Sequence, residues 1–232
     1  MIVSVVERLM KNVAVILAGG VGNRMGTDMP KQFLPLKGKT VLEWSVEAFH
    51  GNENVDEICI ISHMDYIPKV ESIVAQNGWT KVKHVLPGGA ERYLSSLAAI
   101  NAHKGQRGVC LLLHDAARPF VSERIINDVV VALQNHNAVC VAIPSTDTLL
   151  ETDESGALVS AIPNRNRYRR VQTPQGFRLE TITKAYELGL QDPAFAATDD
   201  CGVVLHYLPL EPIYIVEGEE ENRKITYKKD LI

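Results

Sequence analysis

The stretch Val13-Ala-Val-Ile-Leu17-Ala-Gly-Gly-Val-Gly22-Asn-Arg24-Met-Gly-Thr-Asp-Met-Pro-Lys31-Gln-Phe33 starts as an unbroken apolar run and passes at once into a glycine-rich loop. An apolar run without polar alternation reads as a strand buried on both faces, the kind found in parallel sheets covered by helices. Similar runs recur at residues 57–62, 82–86, 109–114 and 138–143. Between them, residues 41–49, 66–76, 93–103 and 125–134 carry helical spacing, the last behind Ser122 as a candidate N-cap. Strand alternating with helix predicts an α/β fold, a mainly parallel sheet with helices on both faces and ligands at the carboxyl ends of the strands.

The alternation breaks after residue 143. Residues 148–151 and 157–159 flank a turn rich in Asp, Glu, Ser and Gly at 152–156, the signature of a hairpin. Residues 144–170 are therefore expected to form an arm projecting from one domain that spans residues 1–232. The chain returns through residues 172–177, a helix near 179–188 and a last strand at 213–217; Thr173-Pro174-Gln175 reads as a turn.

Charge narrows the partners. The chain has 24 Lys plus Arg against 28 Asp plus Glu, without a long run of either sign, which argues against nucleic acid or a membrane surface and for a small molecule. Cys59, Cys110, Cys140 and Cys201 are scattered singly and read as buried, reduced thiols, as expected in the cytoplasm. The apolar run at residues 2–6 is cut short by Glu7, Arg8 and Lys11 before it reaches the length of a signal-peptide core.

The glycines after the first strand let the backbone bring amide N–H groups close to phosphate oxygens, and Arg24 and Lys31 add full positive charge. Read this way the loop is a triphosphate cradle; the plainer reading is a strand-to-helix turn with surface cations. It is neither a Gly-x-x-x-x-Gly-Lys-Ser/Thr loop nor a dinucleotide fingerprint, since residue 25 is Met and the next strand ends Ile60-Ile61-Ser62 without an acid for a ribose. Asp115, at the end of the fourth strand, is placed either to hold Mg²⁺ or to pair with Arg118 as a cap. His114 reads as structural. Arg165, among Arg167, Arg169 and Arg170, would by itself be part of a solvated basic face.

Six segments in order carry a resemblance: Leu17-Ala18-Gly19-Gly20 with Arg24 and Lys31-Gln32-Phe33; Gly88-Gly89-Ala90-Glu91-Arg92 with Ser95; His114-Asp115-Ala116-Ala117-Arg118-Pro119; Gln172-Thr173-Pro174-Gln175; Thr198-Asp199-Asp200; and Asn222-Arg223-Lys224. From about residue 13 to 231 the chain resembles the 2-C-methyl-D-erythritol 4-phosphate cytidylyltransferases and their close relatives, the ribitol 5-phosphate cytidylyltransferases. The resemblance implies a Rossmann-like fold, a homodimer joined through the arm, and a Mg²⁺-dependent transfer of CMP from CTP to a polyol phosphate with release of pyrophosphate. It implies that Ala18, Gly19, Gly20, Gly22, Gly89, Ser95 and Ala116 surround CTP, that Arg24 and Lys31 flank its phosphates, and that Asp115 touches the metal. Arg118, Thr148, Arg165, Thr198 and Lys224 are implied around the acceptor, with Thr148 and Arg165 supplied by the other subunit. Arg24, Lys31, Arg165 and Lys224 are then the catalytic cations.

The chemistry suits that inventory. A phosphate monoester has its second pKa near ~6 and is already largely dianionic at neutral pH, so it needs no general base. Catalysis reduces to in-line positioning and cations. Gly19 stands where a second alanine is usual, Met29-Pro30-Lys31-Gln32-Phe33 and Ile162-Pro163 look more like the ribitol enzymes, and Ala117, Glu91-Arg92 with Ser95, and Asp199-Asp200 more like the methylerythritol ones. Ala90, Arg169 and Arg223 are further departures. The expected acceptor is 2-C-methyl-D-erythritol 4-phosphate, with D-ribitol 5-phosphate as the alternative. A sugar-1-phosphate nucleotidyltransferase using UTP or GTP and a non-catalytic nucleotide-binding module stand further off.

Overall fold

A computed structural model describes residues 10–20 and 29–231. Along the chain run β1 (Lys11–Ala18), the small pair β2 (Pro35–Leu36) and β3 (Lys39–Thr40), α1 (Val41–His50), β4 (Glu57–Ser62), α2 (Ile67–Asn77), β5 (Val82–Pro87), α3 (Arg92–His103), β6 (Val109–Asp115) and α4 (Glu123–Ala132). There follow β7 (Ala138–Pro144), the arm strands β8 (Glu151–Thr152) and β9 (Val159–Ala161), β10 (Arg169–Arg178), α5 (Leu179–Gly189), α6 (Asp200–Tyr207) and β11 (Ile213–Glu217). The main sheet has the order β11-β7-β10-β6-β1-β4-β5. Every neighbouring pair is parallel except those made by β10, which lies antiparallel between β6 and β7.

The unbroken apolar runs are explained by two cores, one on each face. Because side chains alternate along a strand, Ala14, Ile16, Ile58, Ile60, Leu112 and Val139 face one core, closed by Leu42, Val46 and Phe49 of α1, Val70 of α2 and Ile125 and Val129 of α4. Val13, Val15, Cys59, Ile61, Leu111 and Leu113 face the other, closed by α3, α5 and α6 through Ile100, Ile182, Tyr186 and Val204. Ser122 caps α4 as expected, its Oγ accepting from Ile125 N at 3.2 Å. Among the described residues, no helix is long and apolar enough to cross a membrane.

Two sequence expectations change, and one helix appears that was not expected. Thr173-Pro174-Gln175 is not a turn: it lies inside β10, at a bulge where the register with β7 shifts between Gln172 and Gln175 and the Thr173–Pro174 peptide is cis. Proline is tolerated within a sheet at such a bulge. The arm hairpin is displaced toward the C-terminus, because the Asp153 carboxylate accepts from Ala157 N and Leu158 N, both at 3.2 Å, and so organises a turn through residue 158. Helix α6 gives little signal in sequence, since its eight residues span barely two turns. Residues 1–9, which hold the short apolar run, lie outside the described residues, whereas Lys11 and Asn12 join β1.

Candidate active site

At the carboxyl ends of β1 and β6 a cavity of about 340 Å³ is lined by Ala18, Gly19, Gly20, Lys31, Gly89, Arg92, Ser95, Asp115, Ala116 and Lys224, among others. Its floor is set by close backbone approach. Ala116 N donates to Leu17 O at 3.1 Å and Gly88 N to Ser62 O at 2.7 Å, tying the ends of β6 and β1 and of β5 and β4 together in pairs. A Cβ on Gly88 would lie 2.5 Å from Ser95 Oγ, and one on Gly89 2.3 Å from Leu94 Cβ, so neither position admits a side chain without displacement. At Gly19 a Cβ would lie 3.0 Å from Ser95 Oγ, a rotatable hydroxyl, so an alanine there would require only a small shift of that side chain. Buried Gln32 fixes the start of the loop, its Nε2 donating to Ala18 O at 2.7 Å and Gly20 O at 3.1 Å.

Asp115 is the electrostatic centre of this cavity. Arg92 Nε lies 3.3 Å from its Oδ1, and Lys224 Nζ 2.7 Å and Arg118 Nε 4.0 Å from its Oδ2. Burial alone would raise its pKa, but Lys224, Arg92 and Arg118 outweigh burial and hold the carboxyl well below the usual carboxylate range. Asp115 N donates to Thr173 Oγ1 at 3.1 Å, and that oxygen is 3.0 Å from His114 Nδ1. The other ring nitrogen, His114 Nε2, faces Arg118 O at 3.0 Å. A carbonyl only accepts, so Nε2 carries the ring hydrogen and Nδ1 accepts from the threonine hydroxyl. Burial pushes the His114 pKa down to about 4, which keeps this ring neutral and structural.

Behind the pocket wall stands a second carboxyl group. Asp200 is fully buried and takes Arg92 Nη1 at 2.5 Å on Oδ2 and the Tyr186 hydroxyl at 2.6 Å on Oδ1. Arg92 is thereby held between two carboxyl groups; burial would lower its pKa, but Asp200 and Asp115 raise it and keep the guanidinium charged. Lys31 Nζ donates to Ile225 O at 3.1 Å, and Ile225 N donates to Ala117 O at 2.7 Å, so the segment carrying Lys224 is fastened both to the first loop and to the end of β6.

Of the residues singled out in the sequence, Ala18, Gly19, Gly20, Lys31, Gly89, Ser95, Asp115, Ala116 and Lys224 meet in this cavity. Gly22 and Arg24 lie outside the described residues. Arg118 sits behind Asp115 with Nη1 on Asn222 O at 2.8 Å and Nη2 on Val171 O at 3.2 Å. Thr148 and Arg165 stand exposed on the arm, where Arg165 Nη1 donates to Thr146 O at 2.8 Å, and Thr198 is exposed just before α6. Arg223 turns away and lies over the Phe120 ring, 5.5 Å from its centroid. Gln32, Arg92, Gln175 and Asp200 were quoted in the sequence motifs without a role, because their contacts span up to 108 residues and appear only in the fold.

A glycine-floored cavity at the strand ends, ringed by cations around one ionised carboxylate, defines a nucleotide-handling α/β enzyme. The family model described as 2-C-methyl-D-erythritol 4-phosphate cytidylyltransferase matches residues 12–232. The chain is 49% identical over 222 residues to a 2-C-methyl-D-erythritol 4-phosphate cytidylyltransferase of Thermobifida fusca, covering 94% of this chain and 89% of that one. It is also 41% identical to a bifunctional ribulose 5-phosphate reductase/CDP-ribitol pyrophosphorylase of Haemophilus influenzae, covering 95% of this chain and 47% of that one. The structure of 4-diphosphocytidyl-2C-methyl-D-erythritol synthase from Anaerococcus prevotii superimposes with a TM-score of 0.83 at 28% identity, covering 96% of this chain and 93% of that one. The chain belongs to the 2-C-methyl-D-erythritol 4-phosphate cytidylyltransferase family and is a CTP-dependent nucleotidyltransferase.

Proposed function

We propose that the cavity transfers CMP from CTP to 2-C-methyl-D-erythritol 4-phosphate and releases pyrophosphate, a step in making isoprenoid precursors. The observation that carries this reading is the convergence of Lys31, Arg92 and Lys224 on the glycine-walled floor around ionised Asp115. An anionic acceptor must approach an anionic triphosphate, and prepositioned cations in a partly dry site lower that barrier. The acceptor phosphate attacks the α-phosphorus in line, the bond to the pyrophosphate oxygen breaks, and no proton transfer is required. Lys31 and Arg24 are assigned to the leaving phosphates, Lys224 to the incoming one.

Mg²⁺ suits the donor set. It takes one or two carboxylates and completes its shell with phosphate oxygens and water; Asp115 stays ionised and each of its oxygens keeps a second lone pair beside its cation contact. When bound, the ion would neutralise charge on the triphosphate. Asp115 would hold it while Arg92 and Arg118 keep that carboxylate oriented.

The acceptor side is assigned to two subunits. Leu150, Leu158, Val159, Ile162 and Tyr168 are exposed apolar residues on the arm, which supports its burial against a second copy and the delivery of Thr148 and Arg165 to the neighbouring cavity. Burial pushes the Cys59 thiol up to about 12 and Cys110 to about 11; inert, unpaired thiols suit a reducing cytoplasm. The H. influenzae relative, whose name includes CDP-ribitol pyrophosphorylase, makes D-ribitol 5-phosphate the second reading. A pyrophosphate-release assay with CTP, Mg²⁺ and each acceptor in turn decides between them. The expected result is fast release with 2-C-methyl-D-erythritol 4-phosphate and slow release with ribitol 5-phosphate or with UTP and GTP; a faster ribitol rate overturns the acceptor assignment.

A further inference from the structure

At the opposite end of the strands from the nucleotide cavity, three side chains meet that the transfer reaction does not use. Glu57 opens β4, His84 lies on the neighbouring edge strand β5, and His103 ends α3. One ligand atom from each lies within 4.8 Å of the other two. Glu57 and Ser62 mark the two ends of β4, so the cluster and the cavity floor are about 17 Å apart along the strand.

His103 is fully buried and its Nδ1 is 2.9 Å from Ala99 O. Because a carbonyl only accepts, Nδ1 carries the ring hydrogen. The lone-pair side of Nε2 is then turned toward Glu57 Oε1 at 3.2 Å, and His84 Nε2 lies 3.5 Å from the same oxygen. A lone pair facing a carboxylate oxygen needs a positive centre between them, either a proton or a metal ion. The spacing suits a metal: tetrahedral Zn²⁺ with bonds of about 2.0–2.1 Å has ligand-to-ligand edges of roughly 3.3 Å. Both edges from Glu57 are already near that length, and the third, between the two imidazoles, lies within 4.8 Å, with the His84 side chain 42% exposed on an edge strand.

The surroundings complete the arrangement. Glu57 Oε2 is taken by Lys11 Nζ at 2.5 Å, which leaves Oε1 as a single-point ligand and fixes the carboxylate plane. The His103 Nδ1–Ala99 carbonyl bond is the outer hydrogen bond that metal-binding imidazoles commonly make. Solvent reaches the site on the His84 side, where a water would take the fourth position. We propose that Glu57, His84 and His103 form a second divalent-metal site, distinct from the one at Asp115. Two imidazoles and one carboxylate select a borderline transition metal, Zn²⁺ before Mg²⁺. Its binding joins the edge strand β5 and the end of α3 to the start of β4.

The test uses the full chain, stripped with a chelator, kept in Mg²⁺ and titrated with Zn²⁺ by calorimetry and with Co²⁺ by visible absorption. The site predicts one equivalent bound, a Co²⁺ spectrum with the intense bands of tetrahedral coordination, and a raised melting temperature. His84→Gln should weaken binding by at least about tenfold, the lower end of what even outer-shell changes cost, while leaving the metal-free melting temperature unchanged. Asp115→Asn should leave this Zn²⁺ affinity intact. Failure of the wild-type chain to bind a stoichiometric equivalent, or binding by His84→Gln within a few-fold of wild type, overturns the site and leaves a proton between His103 and Glu57.

Discussion

Lys31 follows Pro30 into a single 3-10 turn, and its ammonium is held at the mouth of the cavity by Ile225 O at 3.1 Å. In the proposed reaction it opposes charge that develops on the leaving pyrophosphate. Lys31→Ala should lower kcat about 100-fold or more with only a small fall in melting temperature from the lost bond to Ile225 O; near-wild-type turnover of folded Lys31→Ala protein would remove the lysine from the mechanism. His114 makes a second residue-scale prediction. Its folded pKa of about 4 lies below the ordinary value of 6.5, so between those limits the unfolded chain binds a proton that the folded chain refuses. Stability contributed by the neutral ring is full above the unfolded value and falls as pH drops toward 4, by about 3 kcal/mol at most. Urea unfolding at several pH values should show that loss, and His114→Gln should flatten it. Asp115 and Lys31 could be singled out in the sequence from a strand end and a glycine loop, where a structural reading stood beside the functional one, and Lys224 only through the family resemblance. Arg92 could not, since its role depends on Asp200, a partner 108 residues away.

At the scale of elements, the β10 bulge connects the sheet to the substrate side. Gln175, only 1% exposed, accepts from Asp200 N at 3.1 Å and Cys201 N at 3.2 Å and donates to Asp199 Oδ2 at 2.7 Å. It thereby anchors the start of α6, whose Asp200 in turn holds Arg92. Gln175→Leu would keep the volume but strand two buried amides, at a cost of about 2 kcal/mol or more. The urea midpoint should fall and kcat with it; a midpoint equal to wild type would show that α6 does not depend on this side chain. The parallel strands could be read from sequence as short apolar runs bounded by turns, and α1 to α5 because their apolar spacing repeats over enough residues to fix a helical period. The antiparallel run of β10 could not: a proline and a bulge interrupt its pattern, and only the pairing with β6 and β7 on both sides makes it a strand.

For the whole molecule, the cavity gathers those nucleotide-assigned residues that are described, while Thr148 and Arg165 stand on an arm that carries exposed apolar side chains. A twofold axis through the arm would satisfy both facts, placing Arg165 of each subunit at the cavity of the other. The sequence disclosed the arm through the break in strand and helix alternation, but a single chain's pattern carries no record of which copy an arm serves. In the proposed arrangement one site is divided between two chains, Lys31 from one and Arg165 from its partner. Co-expressing Lys31→Ala and Arg165→Ala chains under different tags and isolating the mixed dimer tests that division directly. If the site is shared, one cavity carries both lesions and the other carries neither, and the mixed dimer should show about half the pyrophosphate release of the wild-type dimer. A mixed dimer as inactive as either parent would place both residues in the same chain's site and contradict the shared arrangement.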